Sequence, residues 1–214
     1  MQLKCAFLFA AFCAIPAWAD GLQSLDIFLK NTRTGRADFV QVVTPPAKEG
    51  QAPRVKTSSG QFAFARPGKF KFVYLKPFEQ TMVADGQTLW LFDVDLNQVT
   101  ARQQSQVLGS TPAALIATAP DLKALQTEFV LTVLPDQNGL EWVQALPKSK
   151  DGQLQSVRVG LRVNGKNAEL ASLEILDSFG QRSVLTFSKV ETNPVLPATT
   201  FEFKPPKGVD VIRQ

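Results

Sequence analysis

The side chains most often used in catalysis are nearly absent from this sequence. Its 214 residues include no histidine and only two cysteines, Cys5 and Cys13. Without histidine the chain cannot form a Ser-His-Asp triad, a Cys-His pair or an imidazole metal site. Both cysteines lie in a segment that is interpreted below as removable, so the mature chain would have no thiol for catalysis, zinc binding or disulfides. We therefore expect a protein that is not an enzyme and that carries no cofactor.

One acidic segment resembles the beginning of a calcium-binding loop. Asp93-Val94-Asp95-Leu96-Asn97 has oxygen ligands at alternate positions. However, the sixth position of such a loop requires glycine and is Gln98 here, and the twelfth requires a bidentate glutamate and is Gln104. The sequence therefore predicts no metal site.

A basic and aromatic stretch superficially resembles a platform for single-stranded nucleic acid. Arg66, Lys69 and Lys71 are interleaved with aromatic residues, as in such platforms. Because side chains alternate between the two faces of a strand, the lysines and the neighbouring aromatic rings point in opposite directions. Export of the chain would also remove nucleic acid as a partner, and we expect none.

The first nineteen residues have the form of a signal peptide. Lys4 supplies a positive charge, Cys5–Ile15 is an apolar run that Pro16 ends, and Ala17-Trp18-Ala19 is a small-x-small cleavage pattern. The run is too short to cross about 30 Å of hydrocarbon. We expect residues 1–19 to be cleaved and residues 20–214 to form a single domain. An exported chain without disulfides must depend on its own core, which favours the periplasm.

The remaining residues predict one helix followed by a β-rich domain. Gly21–Thr32 reads as an amphipathic helix with Leu22, Leu25, Phe28 and Leu29 on one face. The later hydrophobic residues recur with period two, as strands require. The predicted strands are Ala37–Val43, Val55–Ala65, Phe70–Leu75, Thr81–Ala84, Leu89–Asp93, Gln98–Gln103, Phe129–Leu134, Leu140–Leu146, Leu154–Val163, Ala168–Leu176, Ser183–Val190 and Thr200–Phe203. Tight hairpin turns are predicted at Asp85-Gly86, Asn138-Gly139, Asp151-Gly152 and Asn164-Gly165.

One interval lacks this alternation. Thr111-Pro112 reads as an N-cap followed by proline at the first helical position, opening the apolar segment Ala113–Thr118, and Pro120–Leu125 adds another turn. We interpret these pieces as short lid helices. The pattern therefore predicts a mainly β fold: an antiparallel sheet of about a dozen strands, strongly curved or nearly closed into a barrel, with an N-terminal helix and short helices over the sheet.

The spacing of the aromatic residues indicates which face of the sheet is apolar. Phe62 and Phe64 share one strand face, and Phe201 and Phe203 share another. Alternation places these rings on the concave face. An ordinary filled core is the competing interpretation, but two short helical elements are few to fill so large a sheet. The predicted cavity residues are Phe62, Phe64, Phe70, Phe72, Tyr74, Met82, Trp90 and Leu115.

Arg66 interrupts the apolar pattern. It has the same parity as Phe62 and Phe64, so the alternation points it toward the apolar side. An inward arginine is costly unless its donors are satisfied. Two interpretations stay open: Arg66 lies at the rim and reaches water or a carboxylate, or its guanidinium donates to backbone carbonyls of the lid near Thr111–Ala119.

The chain resembles the periplasmic outer-membrane lipoprotein carrier family of the Lol system over essentially its whole mature length. The matching residues are Gly60-Gln61-Phe62, Arg66-Pro67, Phe70, Tyr74, Pro77, Gln80, Asp85-Gly86, Leu89-Trp90, Asp93, Asp95-Leu96, Gln98-Val99-Thr100, Thr111-Pro112, Asp177, Phe179-Gly180-Gln181 and Phe201-Glu202-Phe203-Lys204-Pro205-Pro206-Lys207-Gly208-Val209-Asp210. Phe72 stands where the family commonly has tryptophan, and Phe92 where it usually has tyrosine. Both positions stay apolar.

The resemblance implies an incomplete, half-open antiparallel β-barrel with an N-terminal helix and short lid helices over an apolar cavity. It also implies a soluble monomeric carrier of lipoprotein acyl chains. It implies that Arg66 locks the lid and that Phe70 lies near the cavity mouth where partner proteins engage. The implied partners are an inner-membrane lipoprotein-releasing ABC transporter and an outer-membrane receptor lipoprotein.

Two other functions remain as alternatives. The first is a periplasmic carrier of the same fold for another hydrophobic or lipid cargo. The second is an envelope hydrolase, which would need a pair of carboxylates such as two of Asp85, Asp93 and Glu141. Each of these acids sits at a predicted turn or strand end, where acidic residues are common.

Overall fold

The computed structural model describes residues 20–47, 50, 52–107, 119–150 and 152–214. The predicted signal peptide, the lid segment Ala113–Thr118 with Leu115, and Asp151 lie outside the described residues.

Helix α1 (Gly21–Asn31) opens the described chain and confirms the predicted N-terminal helix. The Asp20 carboxylate accepts a hydrogen bond of 2.8 Å from the amide of Gln23, which satisfies one free donor of the first turn. Leu25, Phe28 and Leu29 are buried on the face that packs against the sheet. This face lies across β7, β8, β9 and β10, which are bounded below.

The described residues form one twelve-stranded sheet. Its strands are β1 (Thr34–Thr44), β2 (Lys56–Ala65), β3 (Lys69–Lys76), β4 (Gln80–Ala84), β5 (Thr88–Asp93), β6 (Gln98–Gln103), β7 (Phe129–Gln137), β8 (Leu140–Pro147), β9 (Leu154–Asn164), β10 (Asn167–Asp177), β11 (Arg182–Thr192) and β12 (Asp210–Arg213). Their spatial order is β12-β6-β5-β4-β3-β2-β1-β11-β10-β9-β8-β7. Because β12 and β7 are the two edges, the sheet is not closed, and the predicted incomplete barrel is confirmed.

Short helices complete the described fold. They are α2 (Gln104–Val107), α3 (Leu122–Glu128) and a 3₁₀ helix (Ala198–Phe201). Helix α3 occupies the place of the extra turn predicted at Pro120–Leu125, and Asp121 caps it by accepting from the amide of Ala124. Within the described part of the chain, none of the helices has the length and apolar character needed to cross a bilayer.

The C-terminal part differs from the prediction. The prediction of a strand at Thr200–Phe203 is wrong, because Thr200 and Phe201 belong to the 3₁₀ helix. The C-terminal strand of the sheet is β12, which pairs in parallel with β6. The spacing of Phe201 and Phe203 imitates a strand because both rings pack on the sheet. Phe203 lies 5.6 Å from the Trp90 ring and 6.1 Å from the Phe92 ring, between ring centroids.

A close approach of two strands explains the glycine at position 60. Gly60 pairs with Tyr74 next to a bulge in the β2–β3 ladder. A Cβ atom at this position would overlap the carbonyl oxygen of Val73 and would lie 3.0 Å from the Phe39 ring. Backbone atoms cannot move aside as a flexible side chain can, so the position requires glycine.

We expect Gly60→Ala to lower the free energy of unfolding by about 1–3 kcal/mol, because the added methyl group forces apart β2 and β3. Denaturant unfolding measures the change. The matched control is Gly152→Ala, whose Cβ would meet nothing closer than 3.9 Å. Equal stability of the two variants would contradict this account of Gly60.

Candidate functional site

Four phenylalanines form a continuous cluster on the inner face of the sheet, the face that α1 covers. This phenylalanine row consists of Phe62, Phe64, Phe70 and Phe72, none of them more than 5% exposed. Strand register builds the row, since Phe62 pairs with Phe72 and Phe64 pairs with Phe70, and directly paired residues share a face. The Phe62 and Phe72 rings stack with centroids 4.3 Å apart.

Among the described residues, the space beside the phenylalanine row is small. The void between α1 and the row, bordered by Phe28, Phe64 and Phe187, measures about 20 Å³. A cavity needs about 10–15 Å³ of such volume to hold one water molecule, so this void has room for about one water. An acyl chain therefore cannot occupy this void unless α1, the rings or the neighbouring segments move.

Arg66 holds two separate segments together at one end of the row. Its Nε donates to the carbonyl of Thr32 at 2.8 Å, and Nη1 donates to the carbonyl of Ala119 at 2.6 Å. Thr32 caps the C-terminus of α1, and Ala119 lies just before α3. We call this arrangement the Arg66 clamp. A planar guanidinium with five donors suits such a task, because it can bind several carbonyls at fixed angles.

The guanidinium also lies on aromatic rings. Its central carbon is 4.8 Å from the centroid of Phe28 and 5.1 Å from that of Phe64, within the range of cation–π attraction. Burial, and to a smaller extent the charge of Arg33, lowers the pKa of Arg66 to about 10. Arg66 therefore stays protonated at neutral pH. The inward orientation expected from strand parity is what the structure shows.

The other end of the row opens into a cleft. Tyr74 packs edge-on against Phe39 at 5.0 Å and stacks near Phe72 at 6.3 Å, between ring centroids. Beyond it lies a cleft of about 530 Å³, bordered among others by Gln41, Phe78 and Asp93. Burial raises the pKa of the Tyr74 phenol, so this group is neutral at neutral pH. Apolar rings and polar side chains thus meet at this cleft.

Met82 and Trp90 were both predicted to line the cavity beside the row, but the strand register places their side chains on opposite faces of the sheet. Met82 pairs with Phe72 and packs on the inner core. Trp90 pairs with Val83, one residue out of phase with Met82, and so faces the outer side of the sheet. The prediction that Trp90 lines the cavity is wrong. The prediction that Phe203 lies on the concave face is also wrong, because its ring packs on Trp90 at the outer side of the sheet.

One of the two interpretations of Arg66 placed its guanidinium on backbone carbonyls near Thr111–Ala119, and Ala119 is one of the acceptors. Sequence reasoning missed the other partners of the clamp. The carbonyl of Thr32 is a main-chain atom at a helix end, and Phe28 was assigned only to the helix's apolar face. The signal for Thr32 is its position: the last carbonyls of a helix have no partner within the helix and attract a cation. Nothing in the local sequence indicates that Arg66 would reach this helix.

Among the residues that the structure describes, no group of three or more His, Cys, Asp or Glu side chains is arranged to hold a metal ion. Asp93, from the segment that resembles a calcium loop, accepts a hydrogen bond from the amide of Leu96 and thereby stabilises the β5–β6 turn. This contact gives Asp93 a role in the turn.

The chain matches one protein family and relatives whose names agree with the description of that family. Residues 30–204 match the family described as outer membrane lipoprotein carrier protein LolA. A protein of Albidiferax ferrireducens named outer-membrane lipoprotein carrier protein is 69% identical over 214 residues, covering 100% of both chains. A protein of the same name from Methylibium petroleiphilum is 51% identical, covering 96% of each chain.

A solved structure supports the fold alone. An uncharacterized conserved protein from Thermus thermophilus superposes with a TM-score of 0.56 at 13% identity, covering 90% of this chain and 98% of that one. At such low identity the likeness concerns the path of the backbone.

Proposed function

Because the chain belongs to the family of outer membrane lipoprotein carrier proteins, we propose that it is a soluble, monomeric periplasmic chaperone, with no catalytic activity, for lipoprotein acyl chains. Residues 20–214 act as one carrier domain once the signal peptide is removed. The protein receives lipoproteins that leave the inner membrane through an ABC transporter. It delivers them to a receptor lipoprotein at the outer membrane.

Energetics explain why such cargo needs a carrier. Three acyl chains of about 15 methylenes each, at about 0.8 kcal/mol per methylene, cost on the order of 35 kcal/mol to expose to water. Unshielded diffusion between membranes is therefore negligible. A carrier that recovered all of this free energy would exceed the practical ceiling of about 20 kcal/mol for binding and would never unload.

The observation that carries the proposal is the Arg66 clamp at the end of the phenylalanine row. The row supplies apolar surface, but the closed void of about 20 Å³ requires the interior to open before a chain can enter. Opening breaks the bond of 2.6 Å from Arg66 to Ala119. The cost of breaking it is subtracted from the affinity for the cargo, which makes release possible.

Phe70 has a more specific place in this proposal. The family resemblance puts this residue near the mouth where partner proteins engage, but in the closed arrangement its ring is 0% exposed. We propose that Phe70 becomes accessible only when the interior opens. A transporter or receptor that contacts Phe70 would then distinguish the open carrier from the closed one.

The test is a lipoprotein release assay. Purified residues 20–214 are added to proteoliposomes that contain the ABC transporter and a radiolabelled triacylated lipoprotein, and lipoprotein in the supernatant is measured with and without ATP. We expect ATP-dependent release of lipoprotein in a complex with the protein. Lipoprotein that stays with the vesicles, under conditions in which an established carrier of this family releases it, would overturn the proposal.

A different cargo on the same fold is the second candidate, favoured by the open cleft of about 530 Å³ with its mixed polar and apolar border. Mass spectrometry of material that co-purifies from the periplasm distinguishes the two. Lipoprotein-derived acyl peptides support the first function. A free lipid, bound stoichiometrically in their place, supports the second.

A further inference from the structure

A second buried polar side chain lies close to the Arg66 clamp. Gln104, the first residue of α2, is 3% exposed. Its Nε2 donates to the carbonyl of Gly68 at 2.6 Å, and its Oε1 accepts from the amide of Gly86 at 3.0 Å. Its own amide donates to the carbonyl of Gln87 at 2.8 Å. A buried amide is retained at low cost only when it is bonded on both sides in this way.

Gln104 therefore connects two turns at the same end of the sheet. One is the turn from Arg66 to Gly68 that joins β2 to β3, and the other is the β4–β5 turn that contains Gly86. The φ angle of Gly68 is +74°, and its virtual Cβ would lie 3.4 Å from Gln104 Nε2, so the glycine allows the close contact.

The β4–β5 turn is a firm support for this link. The Asp85 carboxylate accepts from the amides of Gln87 and Thr88, each at 2.8 Å, and from the Trp90 indole at 3.0 Å. Burial raises the pKa of Asp85, but these hydrogen bonds together outweigh it and lower the pKa. The carboxylate is thus ionised at neutral pH, and ionised acceptors make the stronger hydrogen bonds.

The turn that carries Arg66 is held from both sides. The amide of Arg66 donates to the carbonyl of Arg33 at 2.8 Å, which fixes one side of the turn against the residue that precedes β1. Gln104 fixes the other side at Gly68. The direction in which the Arg66 side chain leaves the backbone depends on both attachments, because the turn is only three residues long.

We propose that Gln104 is the positioning residue for Arg66: it holds the β2–β3 turn against the β4–β5 turn so that the guanidinium reaches the carbonyls of Thr32 and Ala119. This inference rests on the proposed carrier function for its consequence on cargo release. Its structural content is independent of that function. Without the Gly68 bond, the turn tilts and the clamp weakens while the fold persists.

The first arm of the test does not involve cargo. The exchange of the Arg66 Nε–H with water is measured by NMR in the wild type, Gln104→Ala, Gln104→Glu and the control Gln106→Ala. The Gln106 side chain is exposed and, among the residues that the structure describes, bonds to Gln103. Gln104→Glu keeps an acceptor for Gly86 and loses the donor to Gly68. We expect exchange to accelerate at least about threefold in both Gln104 variants and not in the control, as for the loss of one hydrogen bond.

Unchanged Arg66 exchange in folded Gln104→Ala overturns the inference and leaves the carrier function untouched. Thermal unfolding confirms that each variant is folded. If Gln104→Ala does not fold, the exchange of the Arg66 Nε–H in Gln104→Glu alone tests the inference. Exchange like that of the wild type in folded Gln104→Glu means that the Gly68 bond does not position Arg66, which again overturns the inference.

The second arm measures coupling. The affinity for a fluorescent long-chain fatty acid is determined for Gln104→Ala alone and combined with Arg66→Leu. We expect Gln104→Ala to tighten binding about three- to tenfold alone and to have no effect when Arg66 is leucine. Equal effects in both backgrounds mean that Gln104 acts independently of Arg66 and overturn the inference. Failure of the wild type to bind any acyl probe counts against the carrier function, while the exchange arm still decides the role of Gln104.

Discussion

Arg66→Leu is expected to bind acyl cargo about 10- to 100-fold more tightly and to deliver it correspondingly more slowly. The closed state loses the hydrogen bonds from the guanidinium to Thr32 and Ala119. A hydrogen bond to a charged group contributes about 1.5–3 kcal/mol, and the bond to Ala119 is the one that opening breaks. When the closed state no longer competes, the apparent affinity for cargo approaches that of the open state.

The measurement is the transfer of a labelled lipoprotein from the loaded carrier to the purified receptor. The matched control is Arg36→Leu, which removes an exposed arginine whose only described ion pair is with Glu191 on the outer face. We expect the control to transfer at the rate of the wild type, since exposed ion pairs contribute little. Arg66→Leu that transfers as fast as the control would show that leucine packing replaces the clamp, and the clamp would have no role in release.

Phe62→Ala is expected to lower the free energy of unfolding by about 3–5 kcal/mol. The Phe62 ring is 3% exposed and sits at the centre of the row, with Phe72 at 4.3 Å, Phe187 at 5.6 Å and Phe64 at 5.8 Å between centroids. Its removal leaves a cavity that three rigid rings cannot fill, and it also removes the ring–ring attractions. Tm should fall on the order of 10 °C.

Guanidinium chloride unfolding and calorimetry test this expectation. Phe78→Ala is the matched control, because the same atoms are removed from a side chain that is 69% exposed. Its free energy of unfolding should stay within about 0.5 kcal/mol of the wild type. A small loss for Phe62→Ala, comparable with the control, would mean that the row is loosely packed and that the interior is already open in solution.

The two substitutions separate the two parts of the site. Under the proposed function, Arg66 acts on the equilibrium between closed and open states, so we expect its replacement to change cargo release more than stability. Phe62 is part of the packed interior, so its replacement changes stability first. The proposed function needs both parts. Without the clamp the carrier would retain its cargo, and without the apolar interior it would have no surface that binds acyl chains.

Much of the fold could be predicted from alternation. Eleven of the twelve predicted strands begin and end within three residues of a strand in the structure. Strand character can be predicted in this way because it depends on residues that are next to each other in the chain. The strand predicted at Thr200–Phe203 was wrong for a related reason. An F-x-F pattern also arises when two rings of an irregular segment pack on a sheet, and the sequence around it does not distinguish these cases.

For the site, too, alternation along a single strand predicted only part of the arrangement. Parity placed Arg66 inward beside Phe64, and the structure agrees. Parity within one strand did not place Trp90, because its face depends on its pairing with Val83 of the neighbouring strand. The role of Gln104 was likewise hidden, since its partners Gly68 and Gly86 lie 36 and 18 residues away in the chain.

The sequence by itself determined the class of protein. Period-two alternation predicted the mainly β fold and the inward arginine after the phenylalanines, and the resemblance to the lipoprotein carrier family, rather than the composition, indicated an apolar carrier. Only the tertiary structure decided that the void beside the phenylalanine row is small among the described residues, that Thr32 and Ala119 are the carbonyls Arg66 binds, and that Gln104 bonds to the turn that carries Arg66. The physical reason is that alternation is local, whereas closure and hydrogen-bond partners depend on register and packing between segments far apart in the chain.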